Sequence, residues 1–391
     1  MGKIKIGVIG IGNMGFAHAT SIYENKIANA QLSAICDIDI KKKNLVSEKF
    51  GDIPFYDDAR KLFESKIIDA VIIATPHKFH ADLAIKALEN DIHILVEKPV
   101  DITVSAANRL NDIANRSGKV FAVMFNQRTN PLFRKAHDLV HSGAIGELKR
   151  SVWVVTNWYR TQCYYDSGDW RATWSGEGGG VLLNQAPHNL DLWQWICGMP
   201  QTVTAFCEFG RYHHISVEDD VTLITRYKNG AVGVFITSTG EFPGTNRLEI
   251  SGNFGRIVLE DCKLKLWKLS ENERDFCFSS KNGFDSIPYE YEEYTDEDSG
   301  DAHIGIINNF IDSILNGTEL ISPGIEAINE LSISNAAYLS AWQGNKEISI
   351  PFDTKQFDAL LLEHSNDSKH INTERKEQPN GNYRERWNVR W

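Results

Sequence analysis

Apolar runs and amphipathic stretches alternate along the first 125 residues. The runs at 4–9, 32–36, 69–74, 93–96 and 120–124 are nearly continuous, the pattern of strands buried on both faces of a parallel sheet. Between two of them, Phe79 to Leu88 places Ala81, Ala84, Ile85 and Leu88 three and four residues apart, on one face of a helix. The predicted order is βαβαβ, and such a sheet binds ligands at the carboxyl ends of its strands. Residues just past each strand are therefore the first candidates for function.

The pattern changes after residue 125. A helix near 131–142 and a long aromatic strand near 147–157 lead into a polar, aromatic loop that ends near 180. Runs at 201–209, 220–227, 231–238, 246–251, 255–259 and 263–269 are separated by turn signals such as Lys228-Asn229-Gly230 and Gly252-Asn253, which predicts an antiparallel sheet. Helices follow at 303–315 and 324–342, the second with Ile325, Ile328, Leu331, Ala336, Leu339 and Trp342 on one stripe. From about 363 the apolar periodicity fades into Asn, Lys, Arg and Glu, and Trp387 and Trp391 suggest docking onto a neighbouring subunit. The expected organisation is an α/β parallel-sheet domain over 1–125, an α+β domain with a large open antiparallel sheet over 126–362, and a polar C-terminal extension over 363–391.

Charge and cysteine usage narrow the partners. A net charge of -11 opposes a phosphate-backbone partner, which needs clustered Lys and Arg, so no nucleic acid is expected. No run approaches the ~18 apolar residues of a membrane span, so no membrane partner is expected either. The six cysteines form no C-x-x-C pair, as expected of reduced thiols in the cytoplasm. A small molecule is the expected ligand, with no metal: His213-His214 lacks partners nearby in sequence and is assigned to a surface turn.

Candidate chemistry gathers on the rim of the first sheet. Gly10-Ile11-Gly12-Asn13-Met14-Gly15 follows a strand and opens a helix, the context of a dinucleotide-binding Rossmann turn. Gly10 permits the tight turn, Gly12 admits the pyrophosphate to the backbone, and Gly15 packs helix on strand. Asp37 ends the second strand, where a carboxylate accepts from ribose hydroxyls and repels a 2′-phosphate. This favours NAD over NADP, although Lys41, Lys42 and Lys43 stand close enough to compensate a phosphate. Thr75 and Pro76 follow the third strand, Glu97, Lys98 and Pro99 the fourth, and Asn126, Gln127 and Arg128 the fifth. Pro99 biases Lys98 towards an extended backbone, which aims its side chain. The loop from Asn157 to Gly176 carries Trp158, Tyr159, Arg160, Tyr165, Trp170 and Arg171. Aromatic faces cover the C–H side of a sugar while charged groups read its hydroxyls, and the same rings could equally pack the loop.

Together these residues resemble the glucose-fructose oxidoreductase and inositol dehydrogenase family, Gfo/Idh/MocA, over nearly the whole chain. The resemblance rests on Gly10 to Gly15 with His18-Ala19, on Ala74-Thr75-Pro76 and His80-Ala81, on Glu97-Lys98-Pro99, on Gly178 to Gly198, and on Ala341-Trp342 leading to Ile350-Pro351. It implies a Rossmann domain whose NAD site takes in Asn13, Met14, His80 and Glu97 beside the residues above. It also implies an inter-domain cleft for a carbohydrate-like substrate and a homo-oligomer, dimer or tetramer, built on the open sheet. Lys98 matches the lysine that binds the reacting hydroxyl, and His188, in Asn184-Gln185-Ala186-Pro187-His188, matches the acid/base histidine. The family commonly has Asp where this chain has Asn184, which implies substrate binding by an amide and a rearranged proton relay. Pro187 predicts a helix over about 187–196 with Asn184 just before it. The implied activity is hydride transfer at a secondary hydroxyl or keto carbon of a sugar, glycoside or polyol. Redox-assisted glycoside hydrolysis and a non-catalytic NAD-binding sensor or scaffold are the alternatives.

Overall fold

The computed structural model describes residues 2–168, 170–295 and 300–367; the tryptophan-bearing tail lies outside the described residues. Six strands, β1 (Ile4–Ile9), β2 (Ala30–Cys36), β3 (Phe55–Tyr56), β4 (Ala70–Ile73), β5 (His93–Val96) and β6 (Phe121–Val123), form one sheet in the order β3-β2-β1-β4-β5-β6. All its pairings are parallel. All four residues of β4 are fully buried, because helices cover both faces. The strand order reverses between β1 and β4, which opens a crevice at their carboxyl ends.

The second sheet has nine strands: β7 (Leu148–Val155), β8 (Thr202–Phe209), β9 (Glu218–Arg226), β10 (Val232–Ser238), β11 (Asn246–Gly252), β12 (Gly255–Glu260), β13 (Lys263–Leu269), β14 (Tyr289–Thr295) and β15 (Ile348–Ser349). Their order is β14-β13-β12-β11-β7-β10-β9-β8-β15. The sheet is antiparallel as expected, except that β7 and β10 run parallel. Helical segments separate β7 from β8, so no hairpin turn sets its direction. One face is closed by the helices Pro187–Cys197 and Ile328–Trp342. Trp193 of the first donates its indole N–H to Ser151 at 3.0 Å and packs on Phe235. Ser340 of the second accepts from the Ala205 amide at 2.9 Å.

Three expectations change. The helix Ile328–Trp342 is buried all round from Glu330 to Ser340 rather than along one stripe, because it is wedged between the sheet and the first domain. Ile325 lies in the preceding turn and is half exposed. The helix Ala302–Asn316 packs Ile306, Ile307, Phe310 and Ile311 into the core around β1 and β2, so a late segment completes the first domain. Finally, Thr354–Asp367 is a helix that continues past residue 362.

Candidate active site

The glycine turn shows why its residues are what they are. Gly10 has φ +88°, and a Cβ there would lie 2.6 Å from the Ala74 carbonyl oxygen. A Cβ on Gly15 would lie 1.8 Å from the Gly10 carbonyl oxygen, so no larger residue lets the helix Asn13–Tyr23 approach this closely. A Cβ on Gly12 would meet open space, and Gly12 and Asn13 are exposed beside half-buried Met14. The turn thus presents backbone at a helix N-terminus, which suits a pyrophosphate. Along the same rim, past β4 and β6, Thr75 Oγ1, Asn126 Oδ1 and Gln127 Oε1 are buried and take part in no hydrogen bond among the described residues. These orphaned polar atoms fit a polar ligand such as a dinucleotide.

Two of the expected cofactor residues are hydrogen-bonded within the protein. His80 is fully buried, its ring nitrogens 2.7 Å from the Thr75 carbonyl and 2.8 Å from the Pro99 carbonyl. It clamps two rim loops together and has no edge left for a ligand. Glu97 is buried against His18 Nε2 at 2.7 Å. Burial alone would raise its carboxyl, but the hydrogen bond and charge of His18 outweigh this and hold it at about 2. Glu97 therefore stays ionised behind Lys98.

Lys98, at the carboxyl end of β5, donates from Nζ to the Asn184 backbone carbonyl at 2.6 Å. Burial pushes its ammonium below the ordinary lysine value, while Glu97, Glu330 and Glu177 pull it back up. His188 stands in the first turn of the helix that Pro187 opens, as expected, with its ring edge-on to Phe125. Burial, then the charges of Lys98 and His303, hold its imidazole well below the usual range and therefore neutral. That first turn is anchored by Asp191, which takes two hydrogen bonds from buried Arg128, at 2.7 and 2.9 Å. Asn184 lies just before that helix, as expected, and itself ends a short helix, Val181–Asn184. Glu218 secures that turn by accepting from the amides of Gly180 and Leu182 and from the Tyr338 hydroxyl.

Two carboxyl groups escaped the sequence reading. Glu177 is buried, and its carboxylate accepts from the Asn184 side-chain amide, so the neighbourhood expected to lack a carboxylate has one. A lone acid between Gly176 and Gly178 was the available signal. Glu330 is fully buried on Ile328–Trp342 with neither carboxyl oxygen hydrogen-bonded among the described residues. Burial, and Asp191 nearby, push it well above the usual carboxyl range.

The aromatic loop divides. Trp158 is buried and donates to Asn189, and Tyr165 is buried against Thr239 and His213. Both pack the loop, the alternative that the sequence left open for these rings. His213-His214 lies in the exposed bend between β8 and β9, as expected, but the His213 ring turns inward and is held between Asp219 and the Arg160 carbonyl, each at 2.9 Å. Trp170 and Arg171 stand nearer the rim, where Arg171 lies 4.7 Å over the Trp170 ring and 4.6 Å over that of Tyr164. Trp170 also meets His77, whose Nδ1 is 3.2 Å from the Glu177 carbonyl, so this loop closes against the first domain. Arg160 stacks on Trp158 and Tyr164, and Tyr159 is exposed against Phe242. Asp169, within the same loop, lies outside the described residues.

A Rossmann domain joined to an open-sheet domain, with a half-buried lysine at the carboxyl end of β5 and a neutral histidine, is the architecture of an NAD-dependent oxidoreductase. The chain belongs to the GFO/IDH/MocA oxidoreductase family: the model of its NAD-binding Rossmann domain matches residues 4–125 and that of its C-terminal domain residues 133–258. The chain is 26% identical to myo-inositol 2-dehydrogenase of Thermotoga maritima over 280 residues, 70% of this chain and 80% of that relative. It is 24% identical to scyllo-inositol 2-dehydrogenase (NAD(+)) of Bacillus subtilis over 86% of this chain and 93% of that one. Its fold is shared with the WlbA dehydrogenase from Bordetella pertussis in complex with NADH and UDP-GlcNAcA, at TM-score 0.75 and 24% identity, over 90% of this chain and 100% of that one.

Proposed function

We propose that the chain transfers a hydride between NAD and a secondary hydroxyl or keto carbon of a sugar, glycoside or polyol, with Lys98 and His188 handling the proton. The observation that carries this reading is a half-buried ammonium at the carboxyl end of β5 within electrostatic reach of a buried, neutral imidazole on the helix Pro187–Cys197. The two relatives named as inositol dehydrogenases support a hydroxylated ring as substrate.

Oxidation removes a proton from oxygen and a hydride from carbon, and NAD when bound supplies the hydride acceptor. Thr75, Asn126 and Gln127 would hold the cofactor with the Gly10–Gly15 turn. Lys98, as an ammonium, donates to the substrate oxygen and stabilises the alkoxide character that develops there. His188, being neutral, accepts the hydroxyl proton, and returns it in the reductive direction. Trp170, Arg171, Arg160 and Tyr159 are the proposed substrate contacts from the loop, and Asn184 binds through its position beside Lys98.

A panel of polyols, aldoses, glycosides and sugar acids, followed by NADH absorbance, tests the reading. General acid–base groups are typically worth ~10²- to 10⁴-fold, so Lys98→Ala and His188→Ala should each lose at least ~10²-fold in kcat while retaining NADH binding. Near wild-type turnover in both variants would overturn the mechanism. Release of a glycone without net NADH would replace it with redox-assisted hydrolysis.

A further inference from the structure

Lys98 is surrounded by more carboxyl groups than the proposed reaction employs. Glu97, Glu330 and Glu177 face it from three different elements, with Arg160, His77, His188 and His303 as further charged or titratable neighbours. Glu177 differs from the other two in being joined to the ammonium through a single residue. Its two carboxylate oxygens accept from the Ala172 amide at 2.7 Å and from the Asn184 side-chain amide. The Asn184 side-chain oxygen accepts from the Tyr164 hydroxyl at 3.3 Å, and its backbone carbonyl accepts from Lys98 Nζ at 2.6 Å. Asn184 is therefore held at three points, and one of them is the reacting lysine.

The turn that carries Glu177 is built to close tolerance. A Cβ on Gly178, at φ +81°, would lie 2.5 Å from Ile102 Cβ, and one on Gly176 would lie 2.5 Å from the Trp170 carbonyl oxygen. Burial raises the Glu177 carboxyl above its ordinary value, opposed by the charge of Arg171, the two N–H groups its oxygens accept from and the charge of Lys98. Accepting from two N–H groups is the pattern that suits the ionised form.

We propose that Glu177 is a positioning residue for Lys98: through Asn184 it orients the carbonyl that holds the ammonium, and it supplies the negative charge that an amide at 184 does not. The proposal rests on the reading of Lys98 as a proton-handling group. It makes Glu177 and Asn184 one unit, in which the carboxylate and the amide are exchangeable between the two positions.

An exchange of the two groups tests this. In Glu177→Gln, the new side chain can accept from the Ala172 amide only by turning its NH₂ towards the NH₂ of Asn184. Asn184 cannot turn over without removing the acceptor of the Tyr164 hydroxyl. In Asn184→Asp, two carboxylates face each other in a buried site. The double variant Glu177→Gln with Asn184→Asp restores both the hydrogen bond and the single charge. An opposite charge close to a buried ammonium shifts its titration by about one unit or more. Glu177→Gln should therefore lower the apparent pKa of Lys98 by about one unit and kcat by about tenfold, with little change in KM, and the double variant should recover both.

Lys98 is titrated through the pH dependence of its carbamoylation by cyanate, read at that residue by mass spectrometry, with NADH binding and thermal midpoint followed in parallel. This readout does not depend on turnover. A chain inert to every sugar of the panel would thus defeat the functional reading without touching this one. Lys98 titrating as in the wild type in Glu177→Gln, whatever happens to the thermal midpoint, overturns the proposal. So does a double variant no better than the singles.

Discussion

The Asp37 carboxylate is already committed within its own chain. It accepts from the Ile11 amide at 2.7 Å, the Asp39 amide at 2.9 Å and Lys42 Nζ at 2.8 Å, and it is buried. Of the three lysines that could compensate a 2′-phosphate, Lys42 is paired with the very carboxylate that would repel one. We therefore expect NAD to exceed NADP in kcat/KM by at least ~10-fold, about one carboxylate–phosphate repulsion in a partly buried site. Asp37→Asn should narrow that ratio, and equal or reversed values for the wild type would remove the assignment. The glycine turn and Asp37 were legible in sequence because their demands are local: a positive φ, a close helix, a carboxylate at a strand end. Glu177 was not, since its meaning depends on a turn folding back over seven residues onto Asn184. The inward packing of Trp158 and Tyr165 stayed one of two alternatives for a related reason. Composition announces an aromatic loop but not which rings face inward.

The helix Pro187–Cys197 carries His188, and what fixes this element is the ion cluster below it. Arg128 is almost fully buried; it takes Asp191 with two hydrogen bonds and Glu326 with one at 2.6 Å, and its guanidinium lies 5.3 Å from the Trp195 ring centroid. Burial would lower the guanidinium, but the two carboxylates outweigh it and keep Arg128 charged. Removing one partner from such a pair leaves a charge uncompensated, at a cost of about 3–5 kcal/mol. Glu326 remains as a second partner but is partly solvent-exposed, so Asp191→Asn should fall near the lower end, about 3 kcal/mol. Urea unfolding monitored by tryptophan fluorescence measures it, and a loss below about 1 kcal/mol would mean that the cluster does not hold the helix. Elements of this kind were legible where one face is apolar or Pro opens a turn. β14 was not, because Tyr289–Thr295 alternates Tyr and Glu on an exposed edge, leaving no buried face to detect.

At the scale of the whole molecule, the nine-stranded sheet leaves one face uncovered. Inward positions such as Trp153, Val203, Leu223 and Phe235 are fully buried. Their outward neighbours line up across strands: Thr204, Ile224, Val234 and Val152 in one row, Phe206, Thr222, Ile236 and Val154 in the next. Ile224 is 40% exposed and Phe206 48%. Both rows end at charges on β11, Glu249 opposite Val152 and Arg247 opposite Val154. The sheet edges offer less. β15 has two residues, and β14 presents Glu290, Glu292 and Glu293 along its length, which discourages strand addition. An apolar face with a charged margin suits a self-complementary contact, and we propose it as the site of the expected homo-oligomer. Sedimentation velocity at micromolar concentration should show a dimer or tetramer. Ile224→Glu places a charge in the middle of the first row, so each symmetric interface receives two, and the assembly should shift to monomer with little change in NADH binding. A wild-type chain that sediments as a monomer, or an Ile224→Glu variant that sediments unchanged, would rule this face out as the contact.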